Sequence, residues 1–335
     1  MDPVSHLAFG RTLVALDARR SLGAGAVTAC LVGSLVPDVD AVLMPVGWDV
    51  YLRHHQGGTH SLIGAIAGAA VAAAAVLIFA SDGRYRRLCL SACAGTLGHL
   101  LLDVVSGADI RFLWPFGPRV ALPLFAMADP WLGGILVLGV VALALRGQRR
   151  GRTAAAILLA VMMLSAVKWT LLSRLEAADD RPARGALFTR AEAEWGSLSR
   201  WIVYAADADH VESRRADGLT RVVTPLLRVA RGLDDPLVVR SRALPTVKNF
   251  LAAHDLTFAV VIDDAASGRR VLWSDLRYCG PPLRREGSVP WAPIDLGSGS
   301  PVSCALWFGG EFDRAGRPSA SVVHVGRIVQ RRAIH

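Results

Sequence analysis

Apolar residues are distributed unevenly along these 335 residues. Between residues 60 and 173 they form long runs with few charges. Residues 174–335 mix polar and apolar positions as an extramembrane domain does. Four segments predict helices that cross a bilayer: 60–80, 88–105, 130–145 and 154–172. The first is nearly all Ala, Gly, Ile, Leu and Val, and at about 1.5 Å per residue it reaches roughly 30 Å, the hydrocarbon thickness. The third is the shortest. Residues 22–36 are also apolar, but Pro37, Asp38 and Asp40 follow at once. That pattern predicts a helix packed on the bundle or partly inserted.

The C-terminal half predicts strands at 201–206, 258–263, 270–274 and 305–310, where apolar and aromatic residues concentrate. Gly-Ser-Pro stretches at 280–290 and 297–301 separate them, and 265–268 reads as a hairpin turn. Residues 237–254 read as helix, interrupted at Pro245. The expected fold is an all-α transmembrane helical bundle over residues 1–175, with about four spans plus N-terminal helices. A soluble α+β domain follows over residues 176–335.

Composition sharpens this picture. Hydrophobic residues make up 53% of the chain, and the formal net charge is +9. The excess charge clusters beside apolar segments, at Arg84, Arg86 and Arg87 and again at Arg146, Arg149, Arg150 and Arg152. Such loops stay cytoplasmic. The loop 106–129 and the C-terminal half are then expected outside, in a bacterial-type inner or plasma membrane. No nucleic-acid-binding motif accompanies the charge, so nucleic acid is not an expected partner. Residues 1–20 carry charges before any apolar core can form, which is not a secretory-signal pattern. Cys30, Cys89 and Cys93 lie in apolar segments and read as small core residues. Cys279 and Cys304 can pair if their half lies outside the cytoplasm. No CxxC occurs, which argues against a thiolate zinc site.

Histidine placement carries the chemistry. His99 and Asp103 are four residues apart inside an apolar helix and share one of its faces. A carboxylate in such a place costs about 2.5–3.5 kcal/mol at the bilayer centre, so an intramembrane His–Asp pair is a functional candidate by default. The bland reading is a hydrogen bond that locks two helices. Asp38 and Asp40 flank Val39 after a proline and can point at one cation from a turn; a solvated cap is the plain alternative. His55 and His60 bracket Gln56-Gly57-Gly58-Thr59, where glycines let the backbone fold tightly. His54 is a neighbour of that pair, and His6 stands alone near the start. Together, His6, Asp38, Asp40, His55, His60, His99 and Asp103 form a nitrogen/oxygen set suited to Zn2+, or to Mn2+ or Fe2+, with members for one to three ions. A carboxylate not used as a ligand, Asp38 or Asp40, is the candidate general base.

These pieces resemble the YdjM-like family of membrane-bound, metal-dependent hydrolases. The resemblance rests on Asp2-Pro3-Val4-Ser5-His6, Pro37-Asp38-Val39-Asp40, His55-Gln56-Gly57-Gly58-Thr59-His60-Ser61 and His99-Leu100-Leu101-Leu102-Asp103, in that order. Trp114-Pro115-Phe116 and Asp129-Pro130-Trp131 are similar to the family's later motifs, and Ser274-Asp275-Leu276-Arg277-Tyr278 to the extension of longer members. The family motif places arginine where Gln56 stands, and glutamine does not grip an anion as a guanidinium does. Arg111 and Arg119 are the candidates to bind an anionic headgroup instead, with His54, Gln56 and Asp129 at the site mouth. More distantly, the pattern is similar to the zinc-dependent phospholipase C and P1 nuclease group, which implies phosphoester hydrolysis at clustered zinc. The expectation is a membrane-bound metal-dependent hydrolase acting on membrane lipids or a lipid-linked substrate. The alternatives are an ion-handling protein using His99 and Asp103 as a relay, and a non-enzymatic scaffold with a structural metal site.

Overall fold

The computed structural model describes residues 1–16, 23–79, 84–146, 149–177, 186–264, 268–280, 302–326 and 328–334. The turn expected at 265–268, most of the Gly-Ser-Pro separators, and positions 81–83 and 147–148 of the arginine-rich loops lie outside them. The N-terminal region is helical. α1 (Pro3–Ala15) starts on Asp2, whose carboxylate accepts from Ser5 N at 2.9 Å ahead of a proline at the first helical position. α2 (Ala24–Gly33) meets a 3₁₀ helix, Val36–Leu43, at a 47° bend. α3 (Trp48–His54) and a short 3₁₀ turn (Gly58–His60) lead into α4 (Leu62–Phe79). α5 (Tyr85–Val105), α6 (Pro130–Leu145) and α7 (Arg150–Ala177) complete the bundle.

Among the described residues, α4, α5 and α7 are long and apolar enough to cross a membrane, and the bent pair of α2 with its 3₁₀ helix makes a fourth candidate. The span expected over 130–145 falls short. α6 has 16 residues, which reach only about 24 Å against about 30 Å of hydrocarbon. Asp129 starts it early by capping Trp131 N and Leu132 N at 3.0 and 3.1 Å, and Arg146 ends it. The helix expected at 22–36 is α2, which packs tightly on α5 as that reading has it. A methyl on Gly95 would lie 2.1 Å from Cys30 O, and one on Gly33 would lie 2.3 Å from Ala92 O. Small residues thus bring the two backbones into contact, as membrane helix pairs require.

The C-terminal half is the expected α+β domain, with strands predominating. One antiparallel sheet runs β1 (Phe188–Ala193), β2 (Arg200–Ala206), β3 (His210–Asp217) and β4 (Val223–Ala230) in sequence order. Two short helices follow, α8 (Pro236–Ser241) and α9 (Pro245–Ala253). Pro245 opens the second helix, so the segment 237–254 is two helices rather than one. The next strands are β5 (Thr257–Asp264), β6 (Gly268–Asp275), β7 (Cys279–Gly280), β8 (Ser303–Cys304), β9 (Leu306–Phe312), β10 (Pro318–Val325) and β11 (Ile328–Ala333). The second sheet has the order β11-β10-β9-β6-β5. β7 and β8 pair, and Cys279 and Cys304 form a disulfide between them. The strand expectations at 201–206, 258–263, 270–274 and 305–310 match β2, β5, β6 and β9. β1 and β3 carry too few apolar positions to stand out: β3 buries only Val211, Ser213 and Ala216.

The two halves are joined by specific contacts. Trp201 is fully buried and donates its indole N–H to Pro123 O at 2.7 Å. Lys168 of α7 is 0% exposed. Its ammonium pairs with Asp129 at 3.4 Å, donates to Ser197 O at 3.0 Å, and lies over the Phe125 and Trp201 rings. A charge stays buried in this way only with a partner. Farther out, burial pushes the Asp275 carboxyl up, but the bidentate Arg277 guanidinium at 2.8 Å outweighs it and holds it below the usual range. Lys168→Ala leaves Asp129 uncompensated and is expected to cost about 3–5 kcal/mol. Thermal unfolding of the detergent-solubilised protein measures this, and an unchanged midpoint would show that the pair does not clamp the halves together.

Candidate metal centre

α5 supplies two residues of the centre from one face, as the four-residue spacing requires. His99 and Asp103 are 1% and 2% exposed, and His99 Nε2 lies 3.1 Å from Asp103 Oδ2. The 3₁₀ turn after α3 brings His60 Nε2 to 3.4 Å from His99 Nε2 and 3.5 Å from Asp103 Oδ2. The bent segment after α2 brings Asp38 Oδ1 to 3.4 Å from His60 Nε2 and 3.6 Å from His99 Nε2. Tetrahedral zinc with bonds of about 2.0–2.1 Å has ligand–ligand edges of roughly 3.3–3.4 Å. The three edges among His60, His99 and Asp103 fall around that value, and Asp38 stands beside the two histidines on the exposed side.

Tautomers reinforce the point. His99 Nδ1 lies 2.8 Å from Ser34 O, and a carbonyl only accepts, so Nδ1 carries the proton. Thr59 Oγ1 donates to Asp40 Oδ2 at 2.9 Å and is 3.0 Å from His60 Nδ1, so His60 Nδ1 donates to it. In their neutral form both Nε2 atoms then present lone pairs to each other and to nearby carboxylates. Such acceptors in a buried space repel one another unless a proton or a cation lies between them. Neutral imidazoles held by an acceptor behind them are how proteins present metal ligands.

A second group stands beside the first. His55 Nδ1 is 3.0 Å from Asp40 Oδ1, and Asp38, His55 and His60 form a further set able to hold an ion. His6, Asp38 and His99 form a third. The His6 ring stacks on His99 with centroids 3.7 Å apart. His6 Nε2 is 3.3 Å from Asp103 Oδ1 but is not aligned for a hydrogen bond, and both His6 ring nitrogens lack a hydrogen-bond partner at 1% exposure. The Met1 amine takes Asp103 Oδ1 at 2.5 Å, leaving Oδ2 to the histidines. A buried, unpaired imidazole beside two carboxylates fits a divalent ion.

The structure distributes the sequence candidates as follows. His6, Asp38, His55, His60, His99 and Asp103 converge. Asp40 stands behind His55 and Thr59, with both oxygens engaged there. Asp129 is buried and committed to the α6 cap and Lys168. His54 is exposed, Gln56 sits at φ 60° in the following turn, Arg111 is half-buried and Arg119 exposed. Ser34, Tyr51 and Arg190 escaped sequence reasoning, whereas Trp114 did not. Ser34 acts through a backbone carbonyl, and Tyr51 packs on His55 with ring centroids 4.7 Å apart. Trp114 covers the glycine turn, 3.5 Å from where a Gly58 side chain would begin. Arg190 of β1 donates to Gly107 O at 2.6 Å and pairs with Asp109, holding the chain just past Asp103. Trp114 was legible as an aromatic of the loop at the site mouth; the other three carried no sequence signal.

The site opens on one side. His60 and His99 side chains are wholly buried, whereas those of Asp38 and His55 are 32% and 22% exposed. Tyr51 at this mouth has its hydroxyl pKa raised, by burial first and then by Asp40, Asp38 and the C-terminal Tyr278. The C-terminal domain also contacts α3, since Asn249 donates to Asp49 at 2.9 Å and accepts from Arg53 at 2.6 Å.

Fold and site together define a helical membrane protein with a buried histidine–aspartate centre that can hold a metal ion. The chain belongs to the YdjM inner membrane protein family, whose model matches residues 1–175. It is also similar to a protein of Bacillus subtilis (strain 168) described as "Uncharacterized protein YfhP", with 27% identity over 140 residues, covering 39% of this chain and 43% of that protein. The match thus spans less than half of that relative. No solved structure is significantly similar.

Removing a converging ligand and removing the carboxylate behind one should differ. His99→Ala and Asp103→Ala are expected to abolish stoichiometric metal in the purified protein, read by elemental analysis. Asp40→Ala is expected to weaken affinity about 10–100-fold while leaving the site able to load. Chelator competition measures that shift, and a loss as complete as that of His99→Ala would make Asp40 a direct ligand.

Proposed function

We propose that this protein is a membrane-bound metal-dependent hydrolase that cleaves a phosphoester or lipid-linked substrate with activated water. The observation that carries the reading is the convergence of three ligand atoms, His60 Nε2, His99 Nε2 and Asp103 Oδ2, with the partly exposed Asp38 Oδ1 beside them on the open side. A site for structure alone encloses its ion with protein, while one for catalysis keeps a side free for water. The nitrogen/oxygen donor set suits Zn2+ best, with Mn2+ or Fe2+ as alternatives. A bound divalent ion would supply hydroxide near neutral pH by lowering the pKa of water toward about 7.

The chain's own residues divide the remaining work. Asp38, the most exposed of the converging carboxylates, is placed to take the proton from water and return it to the leaving group. Asp40 orients His55 and, through Thr59, His60. Trp114 and Tyr51 flank the mouth and exclude bulk water from it. Phosphoester chemistry is supported by the motif similarity to the zinc phospholipase and nuclease group, which is an analogy of pattern.

Two features support placing the centre and the C-terminal domain on the non-cytoplasmic side. α4 and α6 leave the site face and α5 and α7 return to it, so exposed Arg84, Arg86, Arg146, Arg149 and Arg152 gather at the opposite end. The Cys279–Cys304 disulfide suits an oxidising compartment.

Metal-loaded protein in lipid nanodiscs is expected to hydrolyse at least one of a chromogenic phosphomonoester, a phosphodiester or a short-chain phospholipid. Asp38→Asn should lower turnover by about 10²–10⁴-fold with the helical signal unchanged. Loaded protein inert toward every ester class would favour a structural metal site. For orientation, a cysteine at exposed Ala208 (Ala208→Cys) should react with a membrane-impermeant maleimide in intact cells; labelling only after lysis would reverse the topology.

A further inference from the structure

We propose that the β1–β2 and β3–β4 turns of the C-terminal sheet are seated in the lipid interface, in the leaflet on the metal-site side. The inference stands on the geometry of the two halves and does not depend on the hydrolytic reading.

The argument begins with the short helix. α6 runs from Pro130 to Arg146 at the arginine-rich end, and its 16 residues cover about 24 Å. A hydrocarbon core of about 30 Å therefore extends some 6 Å past Trp131 toward the C-terminal domain. What lies beside Trp131 is at the depth of the acyl–headgroup boundary. That neighbour is the β1–β2 turn: Trp131 Nε1 donates to Gly196 O at 3.1 Å, and buried Lys168 donates to Ser197 O at 3.0 Å. The β3–β4 turn lies at the same level. Gly218 N donates to Ser199 O at 2.7 Å, and a methyl on Gly218 would meet Leu171 O of α7 at 2.7 Å. The turn thus rests backbone to backbone on a spanning helix.

The side chains these turns expose are those that such a depth selects. Trp195 is 70% exposed and Leu219 65%. Leu198, Val222 and Val223 are exposed beside them. The surface is continuous with exposed Trp131 and Trp169 on the helices, which makes an aromatic belt that crosses from the bundle onto the sheet. Exposed Arg221 at the tip supplies a cation at headgroup level. The backbone is also prepared for low polarity, where unpaired donors are costly. Asp217 accepts from Leu219 N and Thr220 N at 2.8 and 3.2 Å, and Arg221 N donates to Asp217 O. Ser197 Oγ accepts from Ser199 N and Arg200 N in the other turn.

The same sheet provides its own control. The β2–β3 turn, with exposed Ala208, lies at the opposite end of these strands, roughly 20 Å away at about 3.4 Å per residue. In full-length protein carrying Cys30→Ala, Cys89→Ala and Cys93→Ala, with the disulfide kept, Leu219→Cys, Trp195→Cys and Ala208→Cys are each labelled with bimane in nanodiscs. Phosphatidylcholine brominated high on its acyl chains should quench the Leu219 and Trp195 labels several-fold more than the Ala208 label, and iodide should do the reverse. Two labels on separate turns guard against one variant misfolding. Quenching by iodide at Leu219 and Trp195 as at Ala208 would place the turns in water. Protection from both quenchers would mean that protein covers them. Either result overturns the proposal.

Discussion

Everything near the centre is arranged around one electrostatic constraint: His60 Nε2, His99 Nε2 and Asp103 Oδ2 lie 3.1–3.5 Å from one another in a buried space, with Asp38 Oδ1 3.4–3.6 Å from the two imidazoles on the exposed side. Without a proton or a cation among them these acceptors repel one another. The arrangement persists because each histidine is held from behind. Ser34 O fixes His99, Thr59 and Asp40 fix His60, and Asp40 fixes His55. The Ser34 carbonyl is in reach only because Gly33 and Gly95 let α2 and α5 touch. The helix pair, the glycine turn and the bent segment after α2 are thus parts of one device for keeping acceptors together.

A second constraint shapes the periphery. α6 is too short to cross alone, and its start is tied to Asp129, which also neutralises Lys168 from α7. The shortfall lets Trp201 and the β1–β2 turn reach into the bundle, so the β domain packs on the helices instead of hanging from a linker. Arg190 extends the same attachment to the segment just past Asp103. The C-terminal domain therefore bears on the geometry of the centre as well as on α3.

Much of this was legible in the chain. The apolar runs predicted α4, α5 and α7 because membrane helices must satisfy their backbones internally and expose apolar side chains. The i, i+4 spacing put His99 and Asp103 on one face. Aromatic and β-branched runs marked β2, β5, β6 and β9. The edge-forming and mixed strands β1, β3 and β4 were not legible, since their half-exposed positions carry little apolar periodicity. The role of Lys168 is not local either: it is a lone cation in an apolar helix whose carboxylate partner lies 39 positions away.

By itself, then, the sequence determined that the protein spans a membrane, that its polar half follows the helices, and which histidines and aspartates are out of place in apolar surroundings. Those properties are local, because burial cost and helical period act on neighbouring residues. Only the tertiary structure decided which of those residues meet. It brought His60, His99 and Asp103 together with Asp38 beside them, moved Asp40 behind His55, and committed Asp129 to a cap and an ammonium. Such choices depend on how closely helices pack and on backbone carbonyls that carry no signature of their own, and no pattern along a single chain records them.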